Sequence, residues 1–151
     1  MKQELDELLC KKYPKMMVNR DKPMQETCMC WGFDCGNGWF NILDQLMGNI
    51  QHHIDWNNQN FEKGYKQYKQ VSQVTLDQVK EKFGTLRFYY TGGDDEISGM
   101  VRMAESMSGV TCETCGAPGK SRDGGWIKTL CDHHEAERQQ RVKQYENQTG
   151  Q

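Results

Sequence analysis

Apolar residues recur at three- and four-residue spacing in three stretches of the chain, a pattern typical of helices with one buried face. These stretches are residues 2–13, which end before Pro14, residues 39–68 and residues 95–108. Residues 55–64 are rich in Asn and weakly helical, so we expect a break in the second helix there. The side chains expected to face inward are Leu5, Leu8, Leu9, Ile42, Leu43, Leu46, Met47, Ile50, Ile54, Phe61, Tyr65, Tyr68, Ile97, Met100, Val101, Ala104 and Met107.

Between the second and third helices the pattern changes to strands. Residues 71–79 and 85–91 are rich in β-branched and aromatic residues and predict an antiparallel hairpin. Side chains of the second strand alternate between an apolar face and a face that carries Arg87 and Tyr89. Residues 14–37 follow neither period and are expected to be irregular.

This order of elements predicts an α+β fold, in which an antiparallel hairpin or sheet packs with helices. The 151 residues contain no evident repeat, low-complexity block or linker, and this length suits one domain. We therefore expect a single domain, 1–151, with three parts. These are a helical part at 1–70, a hairpin and a helix at 71–110, and a metal module with the C-terminal helix at 111–147.

Two close pairs of metal ligands give the strongest chemical signal. Cys112 and Cys115 form one pair, and Cys131 and His134 form the other at the start of a charged helix expected to run to about Tyr145. The residues between the pairs contain a Gly-rich turn and an apolar strand, which predict a hairpin. A knuckle, a hairpin and a helix in this order are the layout of a treble-clef zinc site.

Thiolates and an imidazole at this spacing suit Zn²⁺. On the helix His134 shares a face with Cys131, whereas His133 points away. We therefore predict that Cys112, Cys115, Cys131 and His134 bind zinc. Four protein ligands close the site, so the ion is expected to be structural. The alternative is three buried thiols beside an ordinary surface histidine.

The remaining cysteines carry a weaker signal. Cys28, Cys30 and Cys35 could form a second metal site, but a single residue between the first two makes a poor chelating turn, so packed thiols are preferred. The N-terminus does not resemble a signal peptide and no apolar run could span a bilayer. We therefore expect reduced thiols, a cytoplasmic location and no membrane contact.

His52 and His53, followed by Asp55, are the most enzyme-like residues. HNH nucleases have a His beside an acidic residue on a metal core related to the treble clef. In this chain the motif lies on the second helix, far upstream of Cys112. The preferred interpretation of His53 is a half-buried side chain near Trp39 or Trp56. No Walker loop, dinucleotide fingerprint or nucleophile elbow is present.

A net charge of −2 argues against a protein that acts mainly by neutralising phosphates. A local basic and aromatic face for single-stranded nucleic acid is an alternative. Its residues would be Lys80, Lys82, Phe83, Arg87, Tyr89, Tyr90, Lys120, Arg122 and Lys128. An ordinary solvated face is preferred, because several acidic residues lie close in sequence.

Five segments resemble small uncharacterised proteins of bacteriophages and prophages. They are residues 29–39, 79–90, 103–107, 112–119 and 125–131, which include the sequences KFGTLRFYY, CETCGAPG and GWIKTLC. The resemblance extends over about two thirds of the chain. It implies a phage origin, and so the cytoplasm of a bacterial host, together with a zinc-binding C-terminal unit. It implies no activity.

Small phage accessory proteins without a catalytic signature are commonly interaction proteins. We therefore expect a non-enzymatic protein that binds a host or defence-system macromolecule, as an inhibitor. The candidate contacts are Arg87, Tyr89, Lys80 and Lys82, since Tyr and Arg concentrate in binding hot spots. The alternatives are a nucleic-acid-binding zinc protein that uses the same face, an HNH-like metal nuclease, and a protein that sequesters a small nucleotide between protomers. The oligomeric state stays open.

Overall fold

A computed structural model describes residues 1–149 of the chain. Within these residues the chain forms four α-helices and five short strands, with two 3-10 turns at Met29–Trp31 and Asn37–Trp39. The elements are α1 (Gln3–Lys12), β1 (Phe33–Asp34), α2 (Phe40–Glu62), β2 (Thr75–Lys82), β3 (Thr85–Thr91), α3 (Asp95–Ser108), β4 (Lys120–Arg122), β5 (Lys128–Leu130) and α4 (Asp132–Thr149). The predicted α+β class is confirmed. None of these helices combines the length and the apolar character needed to cross a membrane.

Three strands form a sheet in the order β1-β2-β3, in which β1 is parallel to β2 and β2 is antiparallel to β3. The predicted hairpin is confirmed, and Phe83 and Gly84 form its turn with φ angles of 53° and 79°. Both φ angles are positive, as expected for a two-residue turn between twisted strands. The first strand of the hairpin differs from its predicted range, because it begins at Thr75 and continues to Lys82.

The segment before α2 contains a strand that the sequence did not predict. Phe33 and Asp34 pair in parallel with Val79 and Lys80, so the expectation that residues 14–37 are irregular throughout is wrong. A strand of two residues has too little alternation to be recognised from its own sequence. It leads the chain from the sheet directly into the second 3-10 turn.

α2 ends at Glu62, so the expected break within residues 55–64 is confirmed, although it comes only near the end of that range. The predicted continuation of the helix to Tyr68 is wrong. The Asn side chains that lower intrinsic helix propensity here bond to the helix itself, as Asn60 Nδ2 does to Trp56 O at 2.8 Å. Burial of the apolar face earlier in the helix outweighs the remaining propensity penalty, because tertiary packing provides most helix stability.

The hydrophobic core lies between α2, α3 and one face of the sheet, with contributions from α1 and the segment after it. Most of the side chains predicted to face inward are buried or half-buried. Four are exposed, contrary to the prediction: Leu8, Phe61, Tyr65 and Met107. Phe61 and Tyr65 follow Ile54, the last buried apolar residue of α2, and so they lie outside the core.

The C-terminal helix also differs from its predicted range. α4 begins at Asp132 and reaches Thr149, so it does not end near Tyr145. The last two residues of the chain lie outside the described residues. α4 is polar on all sides, and most of its residues are exposed. Its position therefore depends on a few specific contacts near its first turns.

Candidate metal centre

The 3-10 turn before α2 forms a platform for the first pair of cysteines. Gly38 N donates to Glu113 O at 2.8 Å, and Trp39 Nε1 donates to Thr111 O at 2.9 Å. A Cβ atom at Gly38 would collide with the backbone oxygen of Cys112. Only glycine lets the two backbones approach so closely. Residues 111–113 are therefore fixed to the start of α2, although the two segments are far apart in sequence.

The structure brings together the four residues that the spacing predicted. His134 Nδ1 lies 3.2 Å from Cys131 Sγ and 3.5 Å from Cys112 Sγ, and the Sγ atoms of Cys115 and Cys131 are 3.9 Å apart. All four donor atoms lie within 4.8 Å of one another. A tetrahedral ion with metal–sulfur bonds of about 2.3 Å places its ligands about 3.8 Å apart. The four atoms therefore stand at the spacing of ligands around one ion.

The thiols of this Cys/His cluster differ in acidity. Burial raises the pKa of Cys112, but backbone N–H groups of Cys131, Cys115 and Thr114 outweigh burial and lower this pKa to about 6. The N–H of Ala117 lowers the pKa of Cys115. Burial and the thiols of Cys112 and Cys131 raise it by more, so this pKa lies above its ordinary value. One thiolate is thus favoured at neutral pH, and a bound cation would favour the others.

His133 lies outside the cluster, as predicted from helix geometry. Its ring is largely exposed, and Nε2 is 3.3 Å from Glu137 Oε1. His133, Glu137 and His134 also lie close enough together to hold a metal ion. Because this group shares His134 with the cluster, it is not a separate site. Glu137 Oε2 lies 4.0 Å from Nε2 of His134, which is beyond hydrogen-bond distance.

Two arginines connect α4 to the hairpin formed by β4 and β5. Arg138 Nη2 donates to Gly124 O at 2.9 Å and to Trp126 O at 2.7 Å. Arg122 donates to Leu130 O at 3.1 Å and to Asp132 Oδ1 at 2.6 Å. These bonds hold the hairpin and the first turns of α4 together, beside the cluster.

A charged group that the sequence did not reveal joins this module to the larger sheet. Lys128 Nζ lies 3.1 Å from Glu81 Oε2 and 2.9 Å from Glu113 Oε2. Burial lowers the pKa of Lys128, but the two carboxylates outweigh it and raise the pKa. Thr129 Oγ1 also donates to Gly84 O at 2.6 Å. The turn of the larger hairpin is thereby fixed against β5.

The four residues predicted to contact a partner lie on one face of the larger hairpin. Lys80 and Arg87 are cross-strand neighbours, and Lys82 and Tyr89 lie farther along the same face. Tyr89 is 44% exposed, whereas Arg87 is half-buried and donates to Thr85 Oγ1 at 2.6 Å. We call Lys80, Lys82, Arg87 and Tyr89 the hairpin face.

The three cations that residues 120–128 would add to the wider basic face all lie near carboxylates. Lys128 is neutralised by two carboxylates, and Arg122 and Lys120 approach Asp132. The hairpin face keeps three cations, with Asp34 beside Lys80 in the neighbouring strand. Cations that bind their own carboxylates are poor ligands for phosphate.

Cys28, Cys30 and Cys35 do not converge on a second ligand group within residues 1–149. Cys35 is buried, and burial raises its pKa to about 12, so it stays a thiol at neutral pH. Cys30 Sγ donates to Thr27 O at 3.3 Å. The expectation of packed thiols fits Cys35 but not Cys28, which is exposed.

His53 connects α2 to the start of α3. Its Nε2 lies 2.8 Å from Asp94 Oδ2, and Asp94 Oδ1 accepts the N–H of Ile97 and so caps α3. Cys112 follows the other end of α3, about 20 Å away along the helix axis. His52 is exposed and stacks on Trp56. The structure therefore does not bring either histidine to the cluster.

Three thiols and one imidazole are a donor set typical of a structural metal site. Comparisons with protein-family models, with curated proteins and with solved structures find no match to the chain. Function is therefore inferred from the geometry of the cluster and of the surfaces around it.

Proposed function

We propose that the protein is a zinc-stabilised binding protein of phage type, which binds a host or defence-system macromolecule and inhibits it without catalysis. The convergence of four protein donors at Cys112, Cys115, Cys131 and His134 carries this proposal. Four protein ligands complete a tetrahedron and leave no position for water or substrate. A closed site of this kind stabilises a fold and provides no reaction centre.

Zinc is the ion that best suits this donor set, because thiolates and imidazole are poor ligands for magnesium or calcium. The module also has the element order of a treble clef. The knuckle at Cys112–Cys115 is followed by the β4–β5 hairpin and then by α4, with Cys131 directly before the helix and His134 in its first turn. We propose a treble-clef-like zinc module on this basis.

The positions of the other histidines support a non-enzymatic role. His53 is engaged with the cap of α3, His52 stacks on a tryptophan, and His133 is exposed beside Glu137. A nuclease of the HNH type would need a histidine base close to the metal ion. His52 and His53 lie away from the cluster, and His133, although next to the donor His134, is largely exposed and lies 3.3 Å from Glu137.

The hairpin face is the candidate contact surface. The outer edge of β3 is already occupied, because Ser108 Oγ accepts Leu86 N–H at 2.8 Å and Glu105 Oε1 accepts Phe88 N–H at 3.0 Å. A partner would therefore meet side chains of the face and not a free strand edge. Tyr89 offers exposed aromatic area on a rigid strand, which favours a binding hot spot.

The proposal is tested by affinity capture from a bacterial lysate, followed by mass spectrometry. The wild type is compared with Tyr89→Ala and Arg87→Ala, and with Arg102→Ala, an exposed arginine on α3. We expect a partner that the wild type and Arg102→Ala retain equally and that the two face variants retain at least about ten-fold less. Equal retention by all four proteins would exclude the hairpin face.

A further inference from the structure

A second surface stands out at the C-terminal end of α2, where aromatic rings form a continuous row. His52 stacks on Trp56 with ring centroids 6.1 Å apart and planes at 27°. Tyr68 contacts both Trp56, at 6.4 Å, and Tyr65, at 6.5 Å, in edge-to-face arrangements. Trp56 is 50% exposed and Tyr65 is 52% exposed. We call His52, Trp56, Tyr65 and Tyr68 the aromatic patch.

The chain after α2 is fixed so that the two tyrosines lie beside the helix. Gly64 has a φ angle of 83°, which permits the chain to turn away from the helix axis. Tyr65 N–H donates to Asn60 O at 3.2 Å. Further on, the side-chain amide of Asn58 accepts the N–H of Val71 at 2.7 Å and donates to its carbonyl at 2.9 Å. The segment is thus anchored at both ends, and the rings are held in place before any ligand binds.

Three lysines lie in the same stretch of chain as the two tyrosines. Lys63, Lys66 and Lys69 are exposed, and none forms an ion pair or a side-chain hydrogen bond with a residue in the described range 1–149. Glu62 is the only acidic residue in the stretch 61–70, so the segment is locally basic in a chain whose net charge is −2. The next acid before Glu62 along the helix, Asp55, is already paired with Lys15 at 3.0 Å.

Exposed rings beside free ammonium groups match the chemistry of an unpaired polynucleotide strand. Bases stack on aromatic side chains whatever their sequence, and phosphates are attracted to lysines. A protein partner fits less well, because lysine is depleted in the cores of protein–protein interfaces. In a duplex, stacking of successive base pairs covers the base faces that the rings could contact.

We propose that the aromatic patch and Lys63, Lys66 and Lys69 bind single-stranded nucleic acid. Bases stack on Trp56 and the two tyrosines, and the lysines contact the phosphates. This surface is separate from the hairpin face and from the cluster. Trp56 lies about 25 Å along α2 from Trp39, which contacts the knuckle.

Fluorescence anisotropy with labelled oligothymidylate and oligouridylate of about 12 nucleotides tests this directly. The wild type is expected to bind both strands and to bind a duplex of the same length more weakly. Trp56→Ala should lower the affinity by about ten-fold or more, since stacking of one base on one aromatic ring has this magnitude. Trp31→Ala is the matched control, because Trp31 is also exposed and lies in a 3-10 turn outside the patch.

A second variant keeps the test valid if Trp56→Ala unfolds. Replacing Lys63, Lys66 and Lys69 with Gln changes only exposed side chains. The slope of log affinity against log salt concentration, measured between about 50 and 200 mM, should be smaller in magnitude by about two to three for this variant than for the wild type. The matched control replaces Lys2, Lys11 and Lys22 with Gln, because these lysines are also exposed and lie outside the aromatic patch.

Three results would overturn the proposal. The first is that the wild type binds neither strand at low salt. The second is that it binds the duplex as tightly as the single strands. The third is that the patch variants bind like their matched controls.

Discussion

Glu113 fixes the knuckle to two distant parts of the chain. Its N–H donates to Thr129 O at 2.9 Å, and its carbonyl accepts Gly38 N–H at 2.8 Å. Its carboxylate accepts Gly36 N–H at 3.0 Å and binds Lys128 at 2.9 Å. Only 7% of this residue is exposed, so water cannot replace these partners easily.

We expect Glu113→Ala to lower the free energy of unfolding by about 2–4 kcal/mol, because it leaves a buried N–H unpaired and removes one carboxylate from Lys128. Glu113→Gln should have a smaller effect, since its amide oxygen can still accept from Gly36. Urea denaturation of the metal-loaded protein measures both. Glu26→Ala is the control, at an exposed position. If Glu113→Ala is as stable as this control, the knuckle is not held in the way described.

Asp44 provides a test of the contact between α1 and α2. Burial raises the pKa of Asp44, but hydrogen bonds from Lys12 and Tyr13 outweigh burial and lower it below its ordinary value of 3.8. Lys12 Nζ lies 2.7 Å from Oδ1 and Tyr13 Oη donates to the same oxygen at 2.6 Å. A carboxyl with a depressed folded pKa contributes stability that is complete above its unfolded pKa and is lost as pH falls through its folded pKa.

The difference in unfolding free energy between the wild type and Asp44→Asn should therefore be constant above about pH 5 and shrink as the pH falls below about 4. Urea denaturation at a series of pH values measures it. Asp21→Asn, at an exposed position, should show no such trend. A difference that grows on acidification would contradict the assignment.

At the scale of elements, α4 is the helix with the least support of its own. It is polar on all sides, and an isolated helix of its length is only marginally stable in water. The cluster and the two arginine contacts are what hold it. α2, in contrast, has a buried face that does not involve the cluster.

We expect removal of the metal by a chelator, or Cys112→Ser, to abolish protection from hydrogen exchange in residues 111–145 while α2 keeps its protection. Hydrogen exchange followed by mass spectrometry resolves the two regions. Cys28→Ser is the matched control, because Cys28 is exposed and lies outside the cluster. Unchanged protection of α4 without metal would show that the ion does not stabilise it.

Elements with a long buried face could be predicted from the sequence, and short or unusually stabilised elements could not. The second and third helices follow from the spacing of their apolar residues. β1 has only two residues and exists because β2 offers it an edge. α2 ends near the far end of its weakly helical stretch, at Glu62, because tertiary packing earlier in the helix offsets low intrinsic propensity.

At the scale of the whole molecule, a site built from residues close in sequence could be predicted, and sites built from distant residues could not. The four donors of the cluster could be predicted because each pair is local, at Cys112–Cys115 and Cys131–His134. The platform at Gly38, and the group of Glu81, Glu113 and Lys128, join residues that only the tertiary fold brings together. The aromatic patch was missed for a similar reason, since its tyrosines were assigned to the inner face of a longer helix.

We thus propose different tasks for two ends of the molecule. The proposed zinc module lies against the start of α2, and the aromatic patch lies at the end of the same helix. The hairpin face belongs to the three-stranded sheet. Each surface has its own variants and its own measurement, so failure of one proposal leaves the others intact.

X-ray absorption spectroscopy of the purified protein at the zinc edge, together with its metal content, tests the central claim most directly. The account predicts one zinc ion per chain with three sulfur ligands at about 2.3 Å and one nitrogen at about 2.0–2.1 Å. Protein that is fully folded without stoichiometric zinc would contradict it. So would a bound ion with a water oxygen among its ligands, because an open position belongs to a catalytic site.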